Sequence, residues 1–209
     1  MTDDAWPSDA KARRTLSHYA SNAERFWEGT RSHDVSQNLD ALLSAIEGEP
    51  PFTILDFGCG PGRDLAELAR RGHTPVGLDG TPEFVAMARA HAGCEVLLQS
   101  FLSLSLLDER FDGVFANASL FHVPKSELPR VLGELRRALR PRGVLFASNP
   151  RGANEEGWNG ERWGAYHDLE GWTAFVEAAG FALERHYFRP DGLPREEQPW
   201  LCTIARRVG

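Results

Sequence analysis

The chain has 209 residues, 42% of them hydrophobic, and a formal net charge of −7. That length suffices for one domain with a sizeable core, and no apolar run approaches the ~20 residues that a membrane span requires. Nucleic-acid binders usually show a basic face. Here the basic pairs Arg13-Arg14, Arg70-Arg71, Arg136-Arg137 and Arg206-Arg207 fall on different elements, which disfavours nucleic acid as a partner.

In chain order, Met1 to Arg14 mixes acids, bases and proline without an apolar stretch and reads as a flexible lead-in. Thr15 to Ile46 is helical in pattern, with Leu39, Leu42, Leu43 and Ile46 on the face that should meet a sheet. Residues 15–48 are expected to form a helical lid. In it Tyr19, Trp27, Arg31 and His33 are candidates for the ligand wall, or alternatively core and helix-start residues. Gly48 to Pro51 is a linker. An apolar strand, Phe52 to Phe57, then runs into Gly58, Gly60 and Gly62, and a helix follows to about Arg71. A second strand, Thr74 to Leu78, ends in Asp79, with Gly80 after it. In a doubly wound sheet a carboxylate there faces the ribose of a nucleotide lying over the glycine turn. Cysteines at 59, 94 and 202 are odd in number and lack metal-ligand spacing. They read as reduced thiols in a cytoplasmic protein with no metal.

Thr81-Pro82-Glu83 is a helix start. A third strand, Cys94 to Leu98, leads to Ser100 and Phe101. A fourth, Phe111 to Ala116, leads to Asn117 and then His122, at the strand end where ligands of open α/β sheets bind. Imidazole titrates near neutrality. His122 is therefore a candidate base or substrate contact, or alternatively packs beneath the next helix, whose expected cap is Ser126. A fifth strand spans Val144 to Ser148. Residues 149–168 show no clear periodicity, and a loop that long is usually functional or disordered. Two Trp, a Tyr and a His argue against disorder. The segment is expected to form a substrate loop carrying Arg151, Trp158, Arg162, Tyr166 and His167, with Arg151 or Arg162 able to grip a carboxylate by two prongs. A structural Ω-loop is the alternative. Asp168 caps a last helix that ends at Gly180, and Phe181 to Phe188 and Pro199 to Arg206 are the final strands.

Four stretches in series carry a resemblance: Leu55-Asp56-Phe57-Gly58-Cys59-Gly60-Pro61-Gly62, Val76-Gly77-Leu78-Asp79, Phe111-Asp112-Gly113-Val114-Phe115-Ala116 and Leu139-Arg140-Pro141-Arg142-Gly143-Val144-Leu145. Over roughly Phe52 to Arg207 the chain resembles the class I S-adenosylmethionine-dependent methyltransferases of small-molecule type. An NAD enzyme would be expected to show G-x-G-x-x-G, whereas this turn is G-x-G-x-G. The resemblance implies a doubly wound α/β fold in one domain over residues 1–209: a mostly parallel seven-stranded sheet, helices on both faces, and the last strand antiparallel.

It implies S-adenosylmethionine as cofactor and S-adenosylhomocysteine as product. Asp56 would take the ammonium, Gly58, Gly60 and Gly62 the close backbone approach, and Asp79 and Gly80 the ribose. Ser100 and Phe101 would meet the adenine, Asn117 the methionine moiety, and Trp27 the sulfonium, a cation attracted to a π face. Ser100 departs from the acid that the family often places there. The implied reaction is methyl transfer to an O, N or S atom of a small-molecule acceptor, with His122, His167 and Tyr166 as candidate catalytic groups and Arg31, His33, Arg151, Trp158 and Arg162 as substrate contacts. Methylation of protein or tRNA, or binding without catalysis, are the alternatives. No membrane partner is expected, and the oligomeric state is monomer or homodimer.

Overall fold

The computed structural model describes residues 9–209. Three helices come first: α1 (Ala10–Ser21), α2 (Ala23–Thr30) and α3 (Ser36–Leu43). The Asp9 carboxylate caps α1 by accepting from the Ala12 N–H at 2.9 Å, so the helix takes in residues 10–14, which composition assigns to an irregular lead-in. The rest of that lead-in, residues 1–8, lies outside the described residues. The single helical run expected over 15–46 is broken twice. Asn22 leaves helical geometry at φ −124°, and its side-chain amide donates to the His18 carbonyl at 2.8 Å. Near the second break the Asp34 carboxylate captures the Ser36 N–H at 2.9 Å, the local competition that ends helices at Asp and Asn.

The remaining elements are β1 (Thr53–Phe57), α4 (Arg63–Arg70), β2 (Thr74–Asp79), α5 (Pro82–Ala92), β3 (Val96–Leu98), β4 (Phe111–Asn117), α6 (Leu128–Ala138), β5 (Leu139–Pro150), β6 (Glu155–Asn159), β7 (Arg162–Tyr166), α7 (Leu169–Ala178), β8 (Phe181–Arg189) and β9 (Trp200–Arg207). Seven strands form one sheet in the order β3-β2-β1-β4-β5-β9-β8. The first five strands in chain order are parallel, and β9 runs antiparallel between β5 and β8. This is the doubly wound, mostly parallel sheet with an antiparallel last strand that the sequence implied.

Parallel strands must be covered on both faces, so their sequences are apolar throughout rather than alternating. Leu55, Phe57, Val76 and Leu78 meet Val131, Leu132 and Leu135 of α6 and Trp172 and Val176 of α7 on one side. Ile54, Phe115, Phe146 and Ile204 meet Leu39 and Leu42 of α3 and Leu68 of α4 on the other. Each fully buried side chain of this size contributes about 1.5–3 kcal/mol. The buried Trp172 indole still finds a partner, donating to Thr203 Oγ1 at 2.9 Å. Strand β1 lies between β2 and β4, so the winding reverses there, and the carboxyl ends of these three strands frame a crevice.

Two local expectations are corrected. Helix α6 starts after Glu127 and has no side-chain cap, so Ser126 does not serve as one. Residues 149–168 are not an irregular loop: the first two end β5, and Glu155 to Tyr166 fold as the antiparallel hairpin β6–β7, with Trp158 directly opposite Trp163. Gly160 at φ +61° supplies the backbone geometry that a two-residue hairpin turn requires at its first central position. The two indoles pack edge to face at 5.4 Å.

Candidate functional site

The crevice opens into a cavity of about 690 Å³, its open mouth included. Gly58, Gly60, Asp79, Gly80, Ser100, Phe101, Ser119 and His122 line it, with Phe101 and Ser119 both close beside Gly58. The roof is α1, through Ala12, Thr15, Leu16 and Tyr19, with Phe26 from α2 beside it. Phe101 is held by stacking on Phe57, with ring centroids 4.2 Å apart.

Asp79 is 7% exposed. Its Oδ2 accepts from the Gly60 N–H at 3.0 Å and its Oδ1 from the Thr81 N–H at 2.8 Å. The carboxylate thus ties β2 to the glycine turn, and each oxygen keeps a lone pair for a hydroxyl donor from the cavity. Burial raises its pKa. Asp56 lies on β1 just before the turn, and its Oδ2 is buried with no partner. Burial first, then the nearby Asp64 charge, pushes its pKa well up. A second unpartnered buried polar atom, Ser119 Oγ, belongs to the cavity wall. Gly58 sits at φ +82° with room for no side chain: a Cβ there would stand 2.4 Å from the Ser119 Cβ. These features suit a nucleoside with a cationic amino-acid tail. The vicinal hydroxyls would find Asp79; Asp56, like Asn117, is not among the residues that line the cavity, and only its place before the turn makes its orphaned oxygen a candidate partner for an ammonium.

Gly62 serves packing instead. A Cβ there would come within 2.8 Å of the Ala88 Cα, so the glycine lets α4 approach α5. Asn117 is not on the cavity wall. Its Oδ1 accepts from the Asn38 amide at 2.9 Å and its own amide reaches Asp64 at 3.4 Å, a chain that continues through Tyr187 Oη to Asn38 Oδ1 at 2.9 Å. Arg63 grips Asp64 with two bonds of 2.7 and 2.9 Å and donates to the Thr30 carbonyl at 2.9 Å. It thereby fixes the end of α2 against the glycine turn rather than standing free on a helix surface.

The expected ligand wall is partly relocated. Trp27 packs on His91, ring centroids 5.0 Å apart, while its neighbour Phe26 faces the cavity: α2 turns the adjacent residue inward. Arg31 pairs with Glu28 at 3.1 Å, and with His33 it lines a separate shallow depression against α4. Arg151 donates to the carbonyls of Gln198 and Arg195 at 2.9 and 3.1 Å, so it braces the loop between β8 and β9 and is not free for an acceptor's carboxylate. His167 is 2% exposed, its ring set between Trp172 and Phe175. Its Nδ1 has no partner, and the ring does not line the cavity. Trp158 is exposed, with the Arg14 guanidinium 4.4 Å over its ring.

The hairpin instead holds down the roof. Arg14 pairs with Glu161 through bonds of 2.6 and 2.8 Å, Lys11 stands 3.8 Å over the Trp163 ring, and Thr15 Oγ1 accepts from the Trp163 N–H at 2.9 Å. His122 joins the same contact. Its Nδ1 lies 2.6 Å from the Trp163 carbonyl and its Nε2 2.9 Å from Tyr19 Oη. Burial lowers the His122 pKa to about 4 and raises that of Tyr19. The Arg162 guanidinium lies 5.9 Å from the Tyr19 ring. Sequence patterns had not singled out Thr15, Leu16 or Ser119. The first two sit on a helix read as lead-in and lid, and Ser119 is one polar residue in a short apolar stretch.

Thr15→Val should cost about 1–2 kcal/mol of stability, because the Trp163 N–H is left without its acceptor in a part-buried contact. Urea unfolding measures this, and an unchanged midpoint would show that the hairpin does not anchor the roof.

Comparison with known proteins agrees with this geometry. The methyltransferase-domain family matches residues 54–143. A ubiquinone biosynthesis O-methyltransferase from Alkalilimnicola ehrlichii is 30% identical over 170 residues, which cover 72% of this chain and 67% of that protein. A trans-aconitate 2-methyltransferase from Azoarcus sp. (strain BH72) is 34% identical over 116 residues, 54% of this chain and 45% of that one. Some curated relatives are longer, and the chain spans 33% to 45% of the length of three of them. The 1,6-didemethyltoxoflavin-N1-methyltransferase of Burkholderia thailandensis, solved with 1,6-didemethyltoxoflavin and S-adenosylhomocysteine, superposes with a TM-score of 0.76 over 97% of this chain and 92% of that one. At 22% identity that likeness is one of fold. With the glycine turn, the acid at the end of β2 and the strand order, these matches place the chain in the class I S-adenosylmethionine-dependent methyltransferase family.

Proposed function

We propose that this chain transfers the methyl group of S-adenosylmethionine to an O, N or S atom of a small molecule and releases S-adenosylhomocysteine. The observation that carries the proposal is Asp79, which faces the cavity across the glycine turn with a lone pair left on each carboxylate oxygen. Asp79 and Gly80 hold the ribose, Phe101 and Ser100 the adenine, Gly58 and Gly60 the backbone approach, and Asp56 the ammonium. Asn117 orients Asp64 and the turn, and Phe26 takes the place expected of Trp27 as the aromatic wall. Bound there, the cofactor supplies a methyl group already activated on a sulfonium. What remains for the protein is to align the acceptor and exclude water.

A small acceptor fits a cavity roofed by α1 and the hairpin, and relatives named for ubiquinone biosynthesis and trans-aconitate methylation act on small molecules. No helix of the described residues is long and apolar enough to cross a membrane. In this proposal residues 1–209 make one methyltransferase domain that works in the cytoplasm as a monomer or homodimer. Residues 15–48 and 149–168 close over the site. Calorimetric titration with S-adenosylmethionine, S-adenosylhomocysteine and NAD tests it. Binding of the first two alone is the expected result, followed by an acceptor's mass gain of one methyl group. Binding without turnover on any acceptor would point to a non-catalytic sensor.

A further inference from the structure

Tyr19, His122 and the Trp163 carbonyl form a chain of hydrogen bonds from the cavity wall to the hairpin. Its direction follows from what each group can do. A carbonyl only accepts, so the His122 Nδ1 that faces it must carry the ring proton. The neutral ring then has its lone pair on Nε2, and the Tyr19 hydroxyl must donate to it. The Tyr19 proton therefore points away from the cavity, leaving the lone pairs of its Oη for a donor inside.

We propose that Tyr19 and His122 are a proton relay, with Tyr19 touching the acceptor, and that the acceptor is a planar phenol, enol or N–H heteroaromatic that arrives protonated. The proposal rests on the methyl-transfer function above. The acceptor's X–H bond breaks and its proton passes to Tyr19 Oη, while the Tyr19 proton passes to His122 Nε2. The electron pair left on X is the one that takes the methyl group. The proton ends on an imidazolium that returns it to water when the roof lifts.

Three further observations favour a relay over a strut that merely joins α1 to the hairpin. Burial and the nearby Arg162 charge lower the His122 pKa to about 4, so Nε2 is free to accept, and its imidazolium forms only as the countercharge develops on X. Arg162 stands beside Tyr19 and favours negative charge developing on its oxygen or on X. The Tyr19 ring also has Phe26 and Phe84 around it, at centroid distances of 5.5 and 5.7 Å, which suits a flat acceptor. The other ionisable groups facing the pair are Asp79 from β2, Tyr166 from β7 and His18 of α1.

The test uses the full chain with S-adenosylhomocysteine bound and 4-nitrophenol as probe, whose visible absorption reports its ionisation. Wild type should hold the bound probe more ionised than free probe at the same pH, and Tyr19→Phe, which keeps the ring, should lose that bias by ~10-fold or more. Turnover with S-adenosylmethionine and substituted phenols forms the second arm. Tyr19→Phe and His122→Gln should lose about 10²-fold, within the usual range for a positioned base, on phenols protonated at the assay pH. On phenols already ionised the loss should be under ~3-fold. Equal losses on both sets would make the pair a strut and overturn the relay. Binding of S-adenosylhomocysteine without ionisation or methylation of any phenol would also overturn it, leaving methyl transfer to another acceptor intact. Failure to bind S-adenosylhomocysteine would remove the methyl-transfer function itself, and the relay with it.

Discussion

Asp79→Ala should weaken S-adenosylhomocysteine binding by ~10² to 10⁴-fold, since hydrogen bonds to a charged acceptor contribute about 1.5–3 kcal/mol each and two ribose hydroxyls are lost to it. The same carboxylate holds the Gly60 and Thr81 N–H groups, so the substitution also orphans two buried donors and should lower the melting temperature. A lost ribose contact and a collapsed glycine turn would each reduce affinity. Comparing S-adenosylhomocysteine with its 2′,3′-dideoxy analogue on both proteins separates them by a double-mutant cycle. If Asp79 binds the ribose, the variant should lose little further affinity for the dideoxy ligand. An equal loss for both ligands would mean that Asp79 acts only by shaping the turn.

The sheet was legible because its signals are local. Strands buried on both faces leave unbroken apolar runs, and a glycine turn followed by an acid at the next strand end has few other uses. Asp79 and Phe101 face the cavity as their positions imply, and Asp168 caps α7 by accepting from the Gly171 N–H at 2.7 Å. The roof was harder to see because its signals are tertiary. Whether Trp27 or Phe26 faces the ligand depends on the rotation of a short helix, α2, which the Arg63 bond to Thr30 fixes from a distant turn. The polar residues of 149–168 look like binding groups in sequence. In the fold Arg151 is spent on two backbone carbonyls and His167 on an aromatic cradle. The hairpin itself did leave a readable mark: Gly160-Glu161, a Gly-X pair between Trp-bearing segments, is a two-residue turn signal. The place of His122 after a strand end makes it a candidate base or substrate contact, but its partner Tyr19 lies far away in sequence and only the fold brings the two together.

Asp56→Asn should separate stability from function. In the empty protein the Asp56 carboxyl is buried with an unpartnered oxygen near Asp64, and its pKa is raised. An acid whose folded pKa lies above its unfolded value adds stability at low pH. That stability is lost as pH rises from the ordinary carboxylate range through the raised value, because the folded state must then ionise a group in a poor environment. Asparagine cannot ionise, so at neutral pH the empty variant should be more stable than wild type by about 1–3 kcal/mol, the scale of an uncompensated buried polar group. It should also lose the acid-side stabilisation that wild type gains in mild acid. Ligand binding should move the opposite way. The ammonium is the partner that makes the charged form worthwhile, and removing the charge forfeits an ion pair in a low-dielectric site, at a cost of ~10²-fold or more in affinity. Thermal melts across pH, with and without S-adenosylhomocysteine, read both effects on one sample. A variant that is less stable when empty, or that keeps its ligand-induced shift in melting temperature, would show that Asp56 is a structural acid whose partner is not the cofactor.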